Sequence, residues 1–350
     1  MPSELIVPVV EISEIKPHNN ADKLEIVTVL GYQCVVSKGA YKPGDKAIYY
    51  PVDVILPDDI IERTGTRNFL KGKQKNRVGC AKIRDENSYG FLERIENDDL
   101  MVGDNLAESL GVEKYTPPEK FTAADQAAYD SDIDPYFVKY NDIQNSRLNA
   151  NGTNFAPDAV VSVTEKIHGS SCKVMWINGE VVCGSNNVRR KKPDDPSTDR
   201  YWRAYESPGI KDLFDCLSKD YDRFGVYGEI YGPGIQSLHY DISSPKFIAF
   251  DIMIEGEYVD QHYFFGIVNE FGIHHVPQIA LTEYRDLDIP ALANKSSIVA
   301  GNGQISEGVV IKLADDQGEH VNRWWSGRGR PIEKYISDDY MMSKHKQKEQ

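Results

Sequence analysis

Along the first third of the chain, apolar and β-branched residues come in short bursts. Leu5-Ile6-Val7-Pro8-Val9-Val10, Leu24-Glu25-Ile26-Val27-Thr28-Val29 and Lys46-Ala47-Ile48-Tyr49-Tyr50 each have the length and make-up of a strand. Turn residues separate them, among them Asn19-Asn20-Ala21-Asp22 and Lys42-Pro43-Gly44-Asp45. Short strands at this density predict a small closed β-barrel, and the OB-fold is the commonest such barrel tied to nucleic acid.

From residue 137 a larger pattern begins. Ala159-Val160-Val161-Ser162-Val163-Thr164 predicts a strand that delivers Lys166 at its end. Cys172 to Ile177 and Glu180 to Cys183 read as strands joined by Asn178-Gly179, a strong two-residue hairpin signal. Phe224 to Ile230 is a strand entering the turn Tyr231-Gly232-Pro233-Gly234. Lys246 to Ile254 and Tyr258 to Gln261 form a second hairpin around Glu255-Gly256. His262 to Phe271 has helical spacing, while Glu307 to Leu313 and Ile332 to Ile336 are strands, and Ser337 is placed to cap a final helix. The fold class is therefore α+β: an N-terminal OB-like barrel, then antiparallel sheets with helices on their outer faces. The expected domains are 1–110, an acidic linker 111–136 containing Pro117-Pro118, and 137–350.

Composition narrows the class. At 350 residues, 40% hydrophobic and 27% charged, the chain has room for two domains with a sizeable core. No apolar run reaches the roughly 20 residues that span a bilayer, and Met1 to Pro8 does not read as a signal peptide. The five cysteines form no Cys-x-x-Cys pair, so a cytoplasmic or other reducing intracellular compartment is expected. A net charge of −14 argues against a protein that coats nucleic acid non-specifically. The charge is uneven, however. Arg67 to Arg84 carries seven Lys/Arg and no acid, with Arg67, Lys71, Lys73, Lys75 and Arg77 as candidate phosphate contacts. Arg189-Arg190-Lys191-Lys192 and Arg323 to Arg330 are further basic runs. Any one such run is as well explained by a solvated face.

Chemistry enters with Lys166, in Thr164-Glu165-Lys166-Ile167-His168-Gly169-Ser170-Ser171. An amine held in a cleft and deprotonated is a nucleophile. If it attacks a phosphate, its neighbours must bind a nucleotide, hold a divalent cation and neutralise a leaving group. Glu229 and Glu307 each lie beside a glycine and offer hard oxygen donors. Phe250 offers a flat face to a base, and on a regular strand the adjacent Asp251 points the other way. Arg147, Arg189, Lys312 and Lys334 are candidate phosphate clamps. Singly each has a plainer explanation: surface lysine, strand-end carboxylate, core phenylalanine, turn aspartate. Their order along the chain gives them weight.

That ordered set resembles the covalent nucleotidyltransferase superfamily of ATP-dependent ligases and mRNA capping enzymes, over roughly Tyr140 to Tyr340. The resemblance implies that Lys166 of Lys-x-x-Gly becomes nucleotidylated and that Glu229 and Glu307 serve ribose or metal. It further implies that Phe250 stacks on the base. Glu165, Ile167, Arg147, Arg189 and Lys312 would line the nucleotide, and Lys334 would supply the fifth motif. Domain order favours RNA ligases with an N-terminal OB domain, because DNA ligases and capping enzymes usually carry theirs afterwards. Pro17 to Glu25 also resembles the opening of tRNA-binding OB modules. Two departures stand out: His168 replaces the usual Asp, and Lys334-Tyr335-Ile336 supplies one lysine where the family usually has two. The expected function is an ATP-dependent RNA ligase for RNA repair, sealing 3′-hydroxyl and 5′-phosphate ends through lysyl-AMP. It would need ATP with Mg²⁺ or Mn²⁺, take RNA as its partner, use no membrane, and act as a monomer. A capping guanylyltransferase, a DNA ligase and a non-catalytic OB-type RNA-binding protein remain open as alternatives.

Overall fold

A computed structural model describes residues 5–95, 99–116, 136–141, 143–148, 153–315 and 331–346. Contacts divide the chain into two units: 3–118 with 144–153 and 338–350, and 119–143 with 154–337. Of the expected linker 111–136, residues 117–135 lie outside the described residues, as does the basic run Arg323 to Arg330.

The first unit is built from short antiparallel strands. Val9–Glu11, Lys46–Tyr50 and Phe91–Arg94 form one sheet with Lys46–Tyr50 in the middle. Glu14–Pro17, Leu24–Val29 and Tyr32–Ser37 form a second, and Cys80–Ile83 pairs with Glu86–Tyr89. Side chains tie the last pair to the second sheet. The Val35 N–H donates to Ser88 Oγ at 3.1 Å, and Cys34 Sγ donates to the Tyr89 carbonyl at 3.4 Å. Two of the expected strands, Leu24–Val29 and Lys46–Tyr50, have the observed bounds. The first is shorter than expected: its ladder is Val9–Glu11 only.

In the second unit two antiparallel sheets face each other. One contains Ile332–Ile336, Gly308–Leu313, Val160–Glu165 and Gln278–Glu283, in that order. The other runs Arg189–Arg190, Glu180–Gly184, Ser170–Ile177, Arg223–Tyr231, Lys246–Ile254 and Glu257–Tyr258. Both expected hairpins form. Asn178 and Gly179 have φ of 48° and 95°, and Glu255 and Gly256 have 49° and 92°, the left-handed pair that a tight two-residue turn requires. Between the sheets Tyr140, Met175, Tyr227, Met253, Val310 and Ile332 pack together. On the outer face of the larger sheet, Trp202, Leu213, Phe214, Phe264 and Val268 bring down the helices Trp202–Tyr205, Ile210–Leu217 and Gln261–Glu270.

Two local expectations change. Tyr258 to Gln261 is not one strand: the strand is Glu257–Tyr258, and Asp260 caps the next helix by accepting from the Tyr263 N–H at 2.8 Å. A local hydrogen bond to a free helix donor outweighs the strand tendency there. Phe250 and Asp251 also do not alternate. Tyr227 pairs with Asp251 and Gly228 with Ala249, so Phe250 is an extra residue in a β-bulge. With the alternation broken, both reach Lys312. The Phe250 ring centre lies 5.5 Å from Lys312 Nζ, and Asp251 Oδ2 lies 3.0 Å from it.

Candidate active site

Lys166 stands where the chain crosses from one sheet to the other. The strand Val160–Glu165 belongs to the smaller sheet and Ser170–Ile177 to the larger, so 166–169 is the link between them. The Lys166 N–H is fixed to the Gly308 carbonyl at 2.9 Å, and the His168 N–H to Tyr240 Oη at 2.6 Å. Gly169 is demanded by close approach. A Cβ there would sit 2.2 Å from the Ile230 carbonyl oxygen and 2.7 Å from Glu229 Cγ. The link therefore presses directly onto the strand that carries Glu229.

A cavity of about 310 Å³ opens at this point between the sheets. Seven of the expected residues line it: Glu165, Lys166, Ile167, Glu229, Phe250, Lys312 and Lys334. Glu307 joins them through Lys166, whose Nζ lies 3.0 Å from Glu307 Oε1. His168 Nδ1 is 3.5 Å from the other oxygen of the same carboxylate, and its Nε2 pairs with Ser237 Oγ at 3.2 Å.

Electrostatics distinguish the two carboxylates. Burial and the nearby Glu307 charge push Glu229 up to about 8, against the pull of Lys166 and the Gly169 N–H. Glu307 is also buried, but its contacts with Lys166 and His168 outweigh burial and bring it down to about 2. For Lys166, burial lowers the pKa, yet Glu307 and Glu229 together hold the amine above the ordinary lysine range. The Lys166 amine is thus held protonated, in an ion pair with Glu307.

Two buried acids beside one amine suit a hard cation. Among the described residues no group of three or more His, Cys, Asp or Glu side chains could hold a metal. Mg²⁺ commonly rests on one or two carboxylates and completes its shell with water and phosphate oxygens, which Glu229 and Glu307 fit.

Other expected residues serve differently or elsewhere. Both oxygens of the Glu165 carboxylate are engaged within the protein, accepting from Ser297 Oγ at 2.5 Å and from the N–H groups of Ile298 and Val299 at 2.9 and 3.2 Å. Lys312 is 1% exposed and spends two donors inward, on the Phe250 carbonyl at 2.6 Å and Asp251 Oδ2 at 3.0 Å. Arg189 lies on an edge strand and is not among the cavity's lining residues. Arg147 belongs to the first unit, where Nη1 contacts Asp338 at 2.7 Å and the guanidinium lies 4.5 Å from the Tyr32 ring centre. In the basic run, Arg67 pairs with Asp58 at 2.7 Å, and Lys71 and Arg77 close a loop through backbone bonds. Lys73 and Lys75 are exposed on that loop, whereas Arg77 is buried over the Tyr115 ring at 4.2 Å.

Nothing in the sequence marks Tyr140 as a site residue. Its hydroxyl donates to Asp251 Oδ2 at 2.7 Å, and its ring meets Phe250 edge-on at 4.9 Å. Asn186 holds the Tyr140 N–H at 2.8 Å. Lys173 donates to the carbonyls of Phe137, Val138 and Asn186 at 2.9, 2.8 and 3.3 Å. These contacts fix 136–141 beside the cavity. None belongs to a motif; an isolated Lys in an otherwise apolar strand is the one available signal.

A lysine amine between facing sheets, beside two carboxylates and an aromatic on a bulge, has the groups that nucleotidyl transfer requires. The RNA ligase family model matches residues 159–336, and the chain belongs to that family. An OB-fold domain model matches residues 6–94. No curated protein matches the chain. Among solved structures, an apo mutant of Naegleria gruberi RNA ligase is 22% identical, with a TM-score of 0.74 over 99% of this chain and 100% of that one. A mutant of the same ligase with ATP and Mn is 21% identical, TM-score 0.74, over 97% and 99%. The form with PPi is 22% identical, TM-score 0.72, over 98% and 99%. Among the described residues no helix is long and apolar enough to cross a membrane.

Proposed function

We propose that this RNA ligase is ATP-dependent and seals 3′-hydroxyl to 5′-phosphate RNA ends through a lysyl-AMP intermediate on Lys166. The observation that carries this reading is the amine of Lys166, 3.0 Å from Glu307, in a cavity that also holds Glu229 and Phe250. ATP with Mn, and PPi, in the Naegleria gruberi enzyme support nucleotide and leaving group of the same kind.

In the first step Lys166 Nζ forms a bond to the α-phosphorus of ATP, the bond to the β-phosphate oxygen breaks, and pyrophosphate leaves. In the second an RNA 5′-phosphate oxygen takes the AMP and Lys166 regains its amine. In the third a 3′-hydroxyl attacks the activated 5′-phosphorus and AMP departs. Phe250 and Tyr140 offer the base an aromatic corner, and Lys334 faces the same cavity as a phosphate contact. A divalent cation on Glu229 and Glu307 would offset the charges that keep Lys166 protonated and so favour the neutral, attacking amine.

Incubation with α-labelled ATP and a divalent cation tests the reading. Wild-type protein should acquire label and Lys166→Ala should not. Equal labelling of the two would sink the proposal. Labelling from GTP in place of ATP would redirect it to guanylyl transfer.

A further inference from the structure

A second and larger cavity, of about 770 Å³, lies in the same unit. It adjoins the first at three places. Glu229 lines the smaller cavity, and Ile230 and Tyr231, next on the strand, line the larger. Val276 lines one and Pro277 the other. Glu165, in the smaller, accepts from the backbone of Ile298 and Val299, in the larger. The partition that carries the nucleophile is therefore also a wall of this groove.

Its charge runs against that of the chain. The protein carries −14 overall, yet the groove presents Arg200, Arg203 and Lys246. The acid on its rim, Glu206, is paired with Lys211 at 2.5 Å. Arg203 is held flat by Nε and Nη2 on the Ser197 carbonyl at 3.0 and 2.7 Å. His274 is exposed and has its Nε2 3.0 Å from Tyr231 Oη. Partial desolvation in the groove, with His275 and Lys246 nearby, lowers the His274 pKa.

Cations beside an aromatic ring match single-stranded RNA, whose phosphates seek Arg and Lys and whose unstacked bases seek flat faces. We propose that this groove holds the terminal nucleotides of an RNA strand, phosphates on Arg200, Arg203 and Lys246 and a base on His274. The strand end would then lie next to the Lys166 cavity. The proposal rests on the RNA ligase reading above and adds a substrate subsite to it.

Two assays separate the claims. Self-labelling with α-labelled ATP reports the nucleotide site alone. Fluorescence anisotropy and sealing of a 5′-phosphorylated ten-nucleotide single-stranded RNA report the groove. Lys246 and Arg200 are exposed, so Lys246→Glu and Arg200→Ala should leave folding, checked by circular dichroism, and self-labelling unchanged. Lys246→Glu should weaken RNA binding and raise the sealing KM about tenfold, the scale of one charge-assisted hydrogen bond, with Lys246→Arg restoring both. Removing a phosphate-binding cation should also lower the salt slope of binding by about 1. Wild-type RNA affinity and KM in both variants would overturn the groove assignment and leave the groove to some other ligand. Failure of wild-type protein to self-label would instead strike the ligase reading, while anisotropy would still decide whether the groove binds RNA.

Discussion

Three lysines in the catalytic unit show how burial and partner choice set a residue's role. Lys166 has a carboxylate partner and remains partly open, with 23% of its side chain exposed. Lys312 is paired with Asp251, which is fully buried, so removing its amine strands a carboxylate that keeps Tyr140 as a donor. Lys312→Met should cost about 3–5 kcal/mol, read as a lower urea midpoint, and Lys312→Met with Asp251→Leu should recover much of it. A double variant no more stable than the single one would show that the pair is not what holds this region. Lys173 is different again: it rests on the carbonyls of Phe137, Val138 and Asn186 and over the Phe137 ring, 3.7 Å from the ring centre. Burial, with Lys139 nearby, brings its pKa down from 10.5 to about 7. A folded pKa below the unfolded one means that the unfolded chain binds more protons between those values. The Lys173 contribution to stability therefore rises with pH from about 7 to about 10.5 and is flat below that window. The wild-type minus Lys173→Met difference in unfolding free energy should grow from about pH 7 to about pH 9.5; a constant difference would rule this out.

At the scale of elements, the site is made by irregularities in otherwise regular strands. The bulge at Phe250 puts an aromatic and a carboxylate within reach of one lysine. The close approach at Gly169 seats the turn that follows Lys166 against Glu229. Gly169→Ala must displace either the Ile230 backbone or Glu229, and a shift near 1 Å at a reacting group can cost roughly a hundredfold in rate. Its self-labelling rate should fall on that scale with circular dichroism intact, and wild-type labelling would contradict the argument. Regularity is also what makes elements legible. The bounds of Lys246–Ile254 and Ile332–Ile336 can be read from the sequence because apolar runs end at turn residues, and Asn178-Gly179 announces its turn by backbone preference. The order of Lys166, Glu229, Phe250 and Glu307 is readable because each stands in a short run of recognisable residue types: Lys-x-x-Gly, Gly-Glu-Ile-Tyr-Gly, Phe-Asp-Ile and Glu-Gly-Val-Val-Ile-Lys. The role of Asp251 is not, since a bulge leaves no mark in a run such as Ala249-Phe250-Asp251-Ile252. Nor is that of Tyr140, whose contacts with Asp251 and Phe250 come from a strand far along the chain.

On the scale of the whole molecule, the two units are interleaved along the chain, with 144–153 and 338–350 grouped with the N-terminal strands. Cutting after residue 110 would leave those segments without the body they pack on, so point changes are the better probe of the basic loop. Replacing Lys71, Lys73 and Lys75 with Ala should leave self-labelling intact, weaken RNA binding and reduce its salt slope by roughly one for each phosphate no longer neutralised. An unchanged slope would mean that the loop is only a solvated face. The crossing at 166–169 has one more effect. From Glu165 to Ser170 the link makes five Cα steps and reaches at most about 18 Å, while packed sheets stand about 10 Å apart. Parting of the sheets on heating therefore separates Lys166, with Glu307 and Gly308 on the side of the smaller sheet, from Glu229 on the larger one. Thermal inactivation should precede melting, with nucleotide attachment disappearing at a temperature where the strands themselves are still intact.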